Sequence, residues 1–328
     1  MSTTRRSFIK KSAMATLGAG ALSAFPYKIL AQANKKTYPI SLAQFSFASD
    51  YFAGKADTLD FPALAKNTFD IDIVEYVSMF FADKANDAQF FKDLKQRADD
   101  VGVTNNLIMV DDENIADLDK TKRMHAVESH YKWVDAAKVL GCASIRVNLG
   151  AIGQEGTPDQ LTDAALDGYA KLLEYGTQND MNIIVENHVG ISSNGAWLAN
   201  IMKEINNPRA GTLPDFGNFC VQRTMPKTMD IEGYMNTTCV QAYDTYKGME
   251  ELMPYAKGVS AKAHKFDADG NEPEIDFDRI FRIIEKSGFD GIVGIEYEGG
   301  LMASYGQEGY LDNEEGVKAI QALVEKVM

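Results

Sequence analysis

Residues 182–188 read Asn-Ile-Ile-Val-Glu-Asn-His, a short apolar run that ends in a carboxylate. A run of β-branched residues bounded by polar ones is typical of a strand buried on both faces. The preceding segment has apolar side chains at the three- and four-residue spacing of an amphipathic helix, namely Leu166, Tyr169, Leu172 and Leu173. This helix followed by a buried strand predicts part of a parallel α/β sheet.

The same strand-and-helix unit recurs along the chain. The predicted strands are 40–45, 73–77, 104–109, 144–148, 182–186, 211–215, 258–263 and 291–296. The predicted helices are 61–67, 87–101, 115–140, 162–179, 197–205, 243–255, 276–287 and 314–327. Strand-then-helix units in this number and over this length predict a (β/α)₈ TIM barrel, as one domain over 34–328. A doubly wound open sheet is the competing architecture, but Gln44-Phe45-Ser46-Phe47 is not the glycine-rich turn that nucleotide binding would need.

The first 33 residues have the features of a twin-arginine signal peptide. Arg5-Arg6 is followed by an apolar stretch over 13–25 and by the cleavage pattern Ala31-Gln32-Ala33. This order predicts export by the twin-arginine route and a periplasmic protein. No later apolar run is long enough for a transmembrane helix.

The charge of the chain restricts its partners. The formal net charge is −14, and removal of the five basic residues of the predicted signal peptide lowers it to −19. A surface this acidic repels nucleic acid and anionic lipid. The composition therefore favours a small neutral ligand, such as a carbohydrate, or a bound cation, and it leaves the oligomeric state open.

The three cysteines are Cys142, Cys220 and Cys239, which lie far apart and form no Cys-x-x-Cys pair. Because the count is odd, at least one is unpaired within the chain. One disulfide is possible, but the spacing favours burial of the cysteines as small apolar residues.

Carboxylates occur at the ends of three later predicted strands. Glu186 ends the fifth strand, Asp215 the sixth and Glu296 the eighth. Functional side chains of a TIM barrel lie at these carboxyl ends, so the three acids are expected at one rim. Each acid alone could be a helix cap or a loop residue, but together they would repel one another strongly without a cation. Their oxygen atoms predict a site for one divalent ion: Mn²⁺, Mg²⁺, Co²⁺ or Zn²⁺.

These motifs carry a family resemblance. The segments 184–188 (IVENH), 214–218 (PDFGN) and 294–298 (GIEYE) resemble the xylose isomerase-like TIM-barrel superfamily, over nearly the whole chain after residue 33. Its sugar phosphate isomerase/epimerase branch includes ketose 3-epimerases, inosose dehydratases and relatives of endonuclease IV. The resemblance implies metal binding by glutamate, aspartate, histidine and glutamate on strands five to eight. Glu186, Asp215 and Glu296 match the first, second and fourth of these ligands.

The seventh strand departs from the family pattern His-x-Lys-Asp. If Lys262 is the family lysine, Ser260 stands at the histidine position. Residues 260, 262 and 264 share one face of a strand, so His264 is the candidate fourth ligand. A substrate-binding or loop histidine is the alternative. Lys262 is expected to bind a substrate oxygen or, alternatively, to pair with Glu298.

Other polar residues near strand ends are candidates for substrate binding. Arg146 and Asn148 share a face of the fourth strand, and an ion pair between Glu75 and Arg146 is favoured over a substrate contact by Glu75. His188 could serve as an acid or base, or as a loop histidine bonded to backbone. The complete predicted substrate-binding set is His188, Lys262, Arg146, Asn148, Glu75, Asn218 and Trp197.

The resemblance and the acids together predict a divalent-metal-dependent isomerase or epimerase acting on a ketose or keto-sugar through an enediolate. Glu186 and Glu296 would remove and return the proton. Elimination on a keto-glycoside, by one carboxylate acting alone, is the first alternative. A phosphodiesterase is disfavoured by the four histidines and the charge. A non-catalytic sugar-binding barrel is the remaining alternative, because the seventh strand lacks the family motif.

Overall fold

The computed structural model describes residues 36–228 and 230–328. The predicted signal peptide lies outside the described residues, so export stays a prediction. The strands are β1 Ile40–Ala43, β2 Ile73–Val77, β3 Thr104–Met109, β4 Ser144–Val147, β5 Asn182–Glu186, β6 Ala210–Leu213, β7 Cys220–Arg223, β8 Cys239–Ala242, β9 Val259–Ala263 and β10 Val293–Tyr297. The helices are α1 Ala48–Phe52, α2 Phe61–Phe69, α3 Ala88–Asp100, α4 Lys120–Leu140, α5 Pro158–Gln178, α6 Gly195–Ile205, α7 Ile231–Met235, α8 Thr245–Leu252, α9 Phe277–Ser287, α10 Gly299–Ser304 and α11 Asn313–Val327.

Eight parallel strands form the barrel that the sequence predicts, in the order β6-β5-β4-β3-β2-β1-β10-β9. The edge strands β6 and β9 meet through parallel bridges between Thr212 and Ala256 and between Asp215 and Ser260. Across this seam, the Ser260 amide donates to the Pro214 carbonyl oxygen at 2.9 Å, and the Phe216 amide donates to the Ser260 carbonyl oxygen at 3.1 Å. The fold class is therefore confirmed.

Local signals in the sequence fix the helix ends. The Asp119 carboxylate accepts from the Thr121 and Lys122 amides at the start of α4, and Gly141 ends that helix with φ of +77°. Thr157 and Gln160 form a capping box at the start of α5, next to a proline in its first turn. Helix α4 starts at Lys120 rather than at the predicted residue 115, because Asp119 supplies this cap.

The apolar core has two parts. The larger lies between the sheet and the outer helices, where Trp133 packs edge-on to Phe81 with ring centroids 5.7 Å apart. The smaller fills the barrel interior and consists of Ala43, Val77, Leu107, Met109, Ile184 and Leu213. Phe45 and Phe80 pack against this inner cluster from the C-terminal rim, whereas Phe47 and Phe81 belong to the outer core. The interior is a packed plug and not a channel.

An insertion between β6 and α8 was not predicted. It contains the antiparallel hairpin β7–β8 and the short helix α7, and a disulfide joins Cys220 to Cys239. The expectation that these two cysteines are buried free thiols was wrong, because the irregular hairpin brings their Cα atoms to 5.8 Å from each other. Cys142 is a buried free cysteine, as expected. None of the helices within the described ranges is long and apolar enough to cross a membrane.

The contact of α5 with the loop after β3 leads to a prediction. A Cβ atom at the buried Gly168 would lie 1.7 Å from the Ile115 carbonyl oxygen, so Gly168→Ala forces the backbone apart. We expect a loss of about 1–3 kcal/mol in the free energy of unfolding, measured by chemical denaturation. Lys171→Ala, on the exposed face of the same helix, is the control and should not change the midpoint. Equal midpoints for both variants would show that the contact is not tight.

Candidate metal centre at the barrel mouth

Three carboxylates meet at the C-terminal end of the barrel. One oxygen atom from each of Glu186, Asp215 and Glu296 lies within 4.8 Å of the others. All three residues are buried, with exposures of 2%, 0% and 5%. Glu186 ends β5, Asp215 follows β6 at the seam, and Glu296 lies near the end of β10. The structure thus brings together the three acids that the sequence singled out.

Asp215 presents one oxygen atom to the cluster. Its amide donates to Asn187 Oδ1 at 2.8 Å, and its own Oδ1 accepts from the Gly217 amide at 2.8 Å. Its Oδ2 has no hydrogen-bond partner, although Lys262 Nζ lies 3.4 Å away. A buried, fixed carboxylate with one oxygen lacking a hydrogen-bond donor is a suitable ligand for a cation.

Lys262 projects into the same cluster from β9. Its Nζ lies 2.8 Å from Glu298 Oε1, 3.2 Å from Glu296 Oε2 and 3.4 Å from Asp215 Oδ2. Burial alone would lower the pKa of Lys262, but these carboxylates outweigh burial and raise it well above the ordinary value. The carboxylates thus favour the charged form of Lys262, and its expected alternative pairing with Glu298 is observed.

Arg146 holds Glu186 from the other side. Its Nε lies 2.8 Å from Glu186 Oε2, and its Nη1 contacts Asp111 Oδ1. Asn218 Nδ2 donates to Glu186 Oε1 at 2.8 Å, so one Glu186 oxygen accepts a hydrogen bond and the other lies beside the Arg146 charge. Asn148 Nδ2 donates to Asp111 Oδ1 at 2.8 Å. Arg146, Asn148 and Asn218 thus form the wall of the site, although whether they touch substrate stays a prediction.

The expected ion pair between Glu75 and Arg146 is not formed. Glu75 Oε1 accepts from Ser41 Oγ at 2.7 Å and from Asn106 Nδ2 at 2.9 Å, while Arg146 pairs with Glu186 and Asp111. Burial raises the pKa of Glu75 above its ordinary value. Glu75 lies beside Gly294 inside the barrel, where a Cβ at that glycine would meet Glu75 Oε2 at 2.9 Å.

His264 does not join the carboxylate cluster in the described residues. Its Nε2 lies 3.2 Å from Glu298 Oε2, and the cluster contains Glu186, Asp215 and Glu296 without a histidine. Ser260 Oγ donates to Glu296 Oε2 at 3.4 Å from the position where the family pattern has histidine. The geometry therefore gives His264 a carboxylate partner in place of the predicted metal contact.

His188 and Trp197 have different surroundings. His188 lies near Asp111 and Glu186, and burial lowers its pKa despite these two acids. Its Nδ1 is buried without a hydrogen-bond partner, so the ring can still bind a ligand. Trp197 Nε1 donates to Thr162 Oγ1 at 2.9 Å, which places the indole between α5 and α6. The structure does not bring Trp197 to the carboxylates.

The sequence analysis missed three features of the mouth. Asp111 follows β3 directly, so the rule that found the other acids would also have found it. Glu298 was considered only as a partner of Lys262, yet it binds both Lys262 and His264. The insertion after β6 contributes Tyr234, which lies in α7. Burial raises the pKa of Tyr234, the charge on Arg223 opposes this rise, and the charge on Glu298 adds to it.

The donor set fits a divalent cation. Burial raises the pKa values of Asp215 and Glu296, and the other carboxylates add to the rise while Lys262 opposes it. A hard divalent ion favours oxygen ligands and would keep these acids ionised. Three protein oxygens also leave coordination positions for a substrate.

A family model described as a xylose isomerase-like TIM barrel matches residues 63–325. The chain belongs to this family. The C-glycoside deglycosidase alpha subunit of Arthrobacter globiformis is 37% identical over 62 residues, which are 19% of this chain. The match spans 18% of that relative's length.

Several solved structures share the fold. D-allulose 3-epimerase from Methylomonas sp. has a TM-score of 0.64 at 13% identity, over 89% of this chain and 98% of that one. The IolI protein with a bound zinc atom has a TM-score of 0.65 at 12% identity, over 88% and 99%. A 3-keto-D-glucoside 4-epimerase from E. coli has a TM-score of 0.59 at 12% identity, over 88% and 100%. At these identities the likeness shows the shared barrel.

The ion pairs of Arg146 lead to a prediction. Arg146→Leu leaves the buried Glu186 and the partly buried Asp111 without their cation, so we expect a loss of about 3–5 kcal/mol in the free energy of unfolding. Arg209→Leu removes a pair with the exposed Asp180 and is the matched control. Chemical denaturation of both variants is the measurement. A cost for Arg146→Leu no larger than that for Arg209→Leu would contradict a tightly coupled site.

Proposed function

We propose that the chain is a divalent-metal-dependent isomerase or epimerase acting on a ketose or keto-sugar. The observation that carries this proposal is the buried cluster of Glu186, Asp215 and Glu296 at the barrel mouth. These residues would hold the ion, and a bound divalent ion would supply Lewis-acid stabilisation of negative charge on substrate oxygen atoms. The family and the named activities of its fold relatives support the assignment.

Glu186 and Glu296 suit proton transfer at the carbon next to a carbonyl group. Their strands, β5 and β10, are separated around the barrel by β6 and β9, so the two carboxylates approach the site from different sides. One removes the proton from one face of the carbon, giving an enediolate, and the other delivers a proton to the opposite face. Return of the proton to the neighbouring carbon gives isomerisation instead.

The remaining polar residues orient these two acids. Arg146 and Asn218 hold Glu186, while Lys262 and Ser260 contact Glu296. The Lys262 ammonium group also places a positive charge beside the position where the enediolate oxygen gains negative charge. Asp215 has no assigned proton-transfer role and would serve as a ligand only.

A second candidate is elimination on a keto-glycoside. The 62-residue match to a C-glycoside deglycosidase subunit favours it, as does the fold likeness to a 3-keto-D-glucoside 4-epimerase. Elimination needs only one carboxylate to remove the proton, after which the substituent at the β-carbon leaves with its bonding electrons. The periplasmic location predicted from the sequence is compatible with either reaction.

Metal content tests the proposed ligands. We expect about one divalent ion per wild-type chain after loading with Mn²⁺, Co²⁺ or Zn²⁺, measured by elemental analysis after dialysis. Glu186→Gln and Asp215→Asn should each lower retention at least tenfold, because each removes a charged ligand. His264→Gln should retain the ion, since Nε2 contacts Glu298.

Glu204→Gln, on the exposed face of α6, is the matched control for the metal experiment. Retention equal to wild type is expected. A wild-type protein that binds no ion would favour the sugar-binding alternative, and loss of the ion in His264→Gln would restore histidine as a ligand.

Isotope exchange separates the two reactions. We expect the metal-loaded protein in D₂O to incorporate deuterium at the carbon next to the carbonyl of D-allulose or a 3-keto-glucoside, observed by NMR. Glu296→Gln should slow this exchange and block inversion at that carbon, because only Glu186 then remains to move the proton. Exchange with an intact glycosidic bond supports epimerisation or isomerisation, whereas release of the aglycone supports elimination. The absence of both deuterium exchange and aglycone release with these keto-sugars would contradict both reactions.

A further inference from the structure

A cavity with a volume of about 450 Å³ lies at the C-terminal end of the barrel, among the loops that follow neighbouring strands. It is enclosed by the loops that follow β4 and β5 and by the inserted hairpin after β6. The apolar side chains that line it are Ile152, Leu161, Val189, Ile191, Val221 and Met225. The first five are half-buried, and Met225 is 62% exposed, so apolar surface is available to a ligand. The volume lies within the range of small-molecule pockets.

The cavity is close to charge-neutral, in contrast to the acidic cluster. Its ionisable lining residues are Glu155 and Arg223, one of each sign, and the amides of Gln222 and Gln241 supply neutral polar groups. A phosphate or carboxylate group would find a single arginine here, whose guanidinium also lies over the Tyr234 ring at 5.2 Å. The lining therefore suits an uncharged group with an apolar face.

Chain connectivity places this cavity next to the proposed catalytic site. Two of the segments that line the cavity start close to residues of the proposed site in the sequence. Val189 follows Glu186 by three residues, and Cys220 follows Asn218 by two. Arg223 lines the cavity and its guanidinium lies over the Tyr234 ring. The charges of Glu298 and Glu186 both raise the pKa of Tyr234, so this ring lies near the acids of the mouth. A molecule longer than one sugar ring can therefore extend from the cluster toward the cavity.

We propose that this cavity is a subsite for the aglycone of a glycoside, and that the aglycone is an uncharged aromatic or alkyl group. The substrate class is then a keto-sugar that still carries its aglycone, in preference to a free monosaccharide. This inference rests on the proposed function for the sugar half, because the cluster must hold the sugar ring. The six apolar side chains of the lining favour an apolar aglycone, which would bury them against its own surface.

Binding without turnover tests the subsite. Phenyl β-D-glucoside and methyl β-D-glucoside are titrated against metal-loaded protein, and dissociation constants are measured by NMR. We expect the phenyl glucoside to bind at least about tenfold more tightly, since the ring buries apolar surface. Val221→Trp, which fills the cavity, should remove this difference and leave the affinity for the methyl glucoside unchanged.

Val240→Trp is the matched control, because Val240 lies on the same hairpin, is 57% exposed and does not line the cavity. It should behave as wild type, and thermal unfolding shows whether either variant is misfolded. Equal affinities for the two glucosides, or equal effects of both variants, overturn the subsite. Tighter binding of cellobiose than of phenyl glucoside overturns the apolar aglycone. A phenyl preference together with no isotope exchange would keep the subsite and reject the isomerase.

Discussion

The structure depends on the neutralisation of carboxylates that are buried at one end of a closed barrel. Five acids surround the mouth, namely Asp111, Glu186, Asp215, Glu296 and Glu298, while Arg146 and Lys262 are the two fixed cations that contact them. Buried charges are tolerated only when paired. The two cations divide the acids, with Arg146 holding the acids on the β3 and β5 side and Lys262 those on the β6 and β10 side. Each strand end therefore has a partner before any ligand binds.

Barrel closure creates this arrangement. The bridge between Asp215 and Ser260 joins β6 to β9, and the pairing of Glu296 with Lys262 in β9 and β10 continues the same level around the mouth. Without this closure, Asp215 would lie on an edge strand, far from Lys262. The apolar side chains of Leu107, Met109, Ile184 and Leu213 fill part of the barrel interior. Burial at the mouth is the largest cause of the raised pKa values of Asp215 and Glu296.

The sequence predicted the barrel because the strands are short apolar runs and the helices show a three- and four-residue apolar spacing with capping residues at their ends. It predicted Glu186, Asp215 and Glu296 because a carboxylate at the end of an apolar strand is costly to bury unless it binds a cation or a hydrogen-bond donor. The hairpin escaped prediction because its strands are exposed, as Val240 shows, and carry no core pattern. The disulfide depends on the unpredicted hairpin, and the contact between His264 and Glu298 depends on which residues lie side by side across β9 and β10. That register, such as Ala263 beside Tyr297, is set by the closed sheet and not by local sequence.

The charge at the mouth also explains why a divalent ion fits there better than one more singly charged side chain. With all five acids ionised, Arg146 and Lys262 leave three negative charges, and a charged His264 would remove one of them. A divalent ion among Glu186, Asp215 and Glu296 removes two more and needs no additional side chain. Lys262 lies nearest to Glu298, at 2.8 Å, which is outside the three proposed ligands, while Asp215 Oδ2 has no hydrogen-bond donor. With serine in place of the family histidine, the three carboxylates supply the negative charge that would attract the ion.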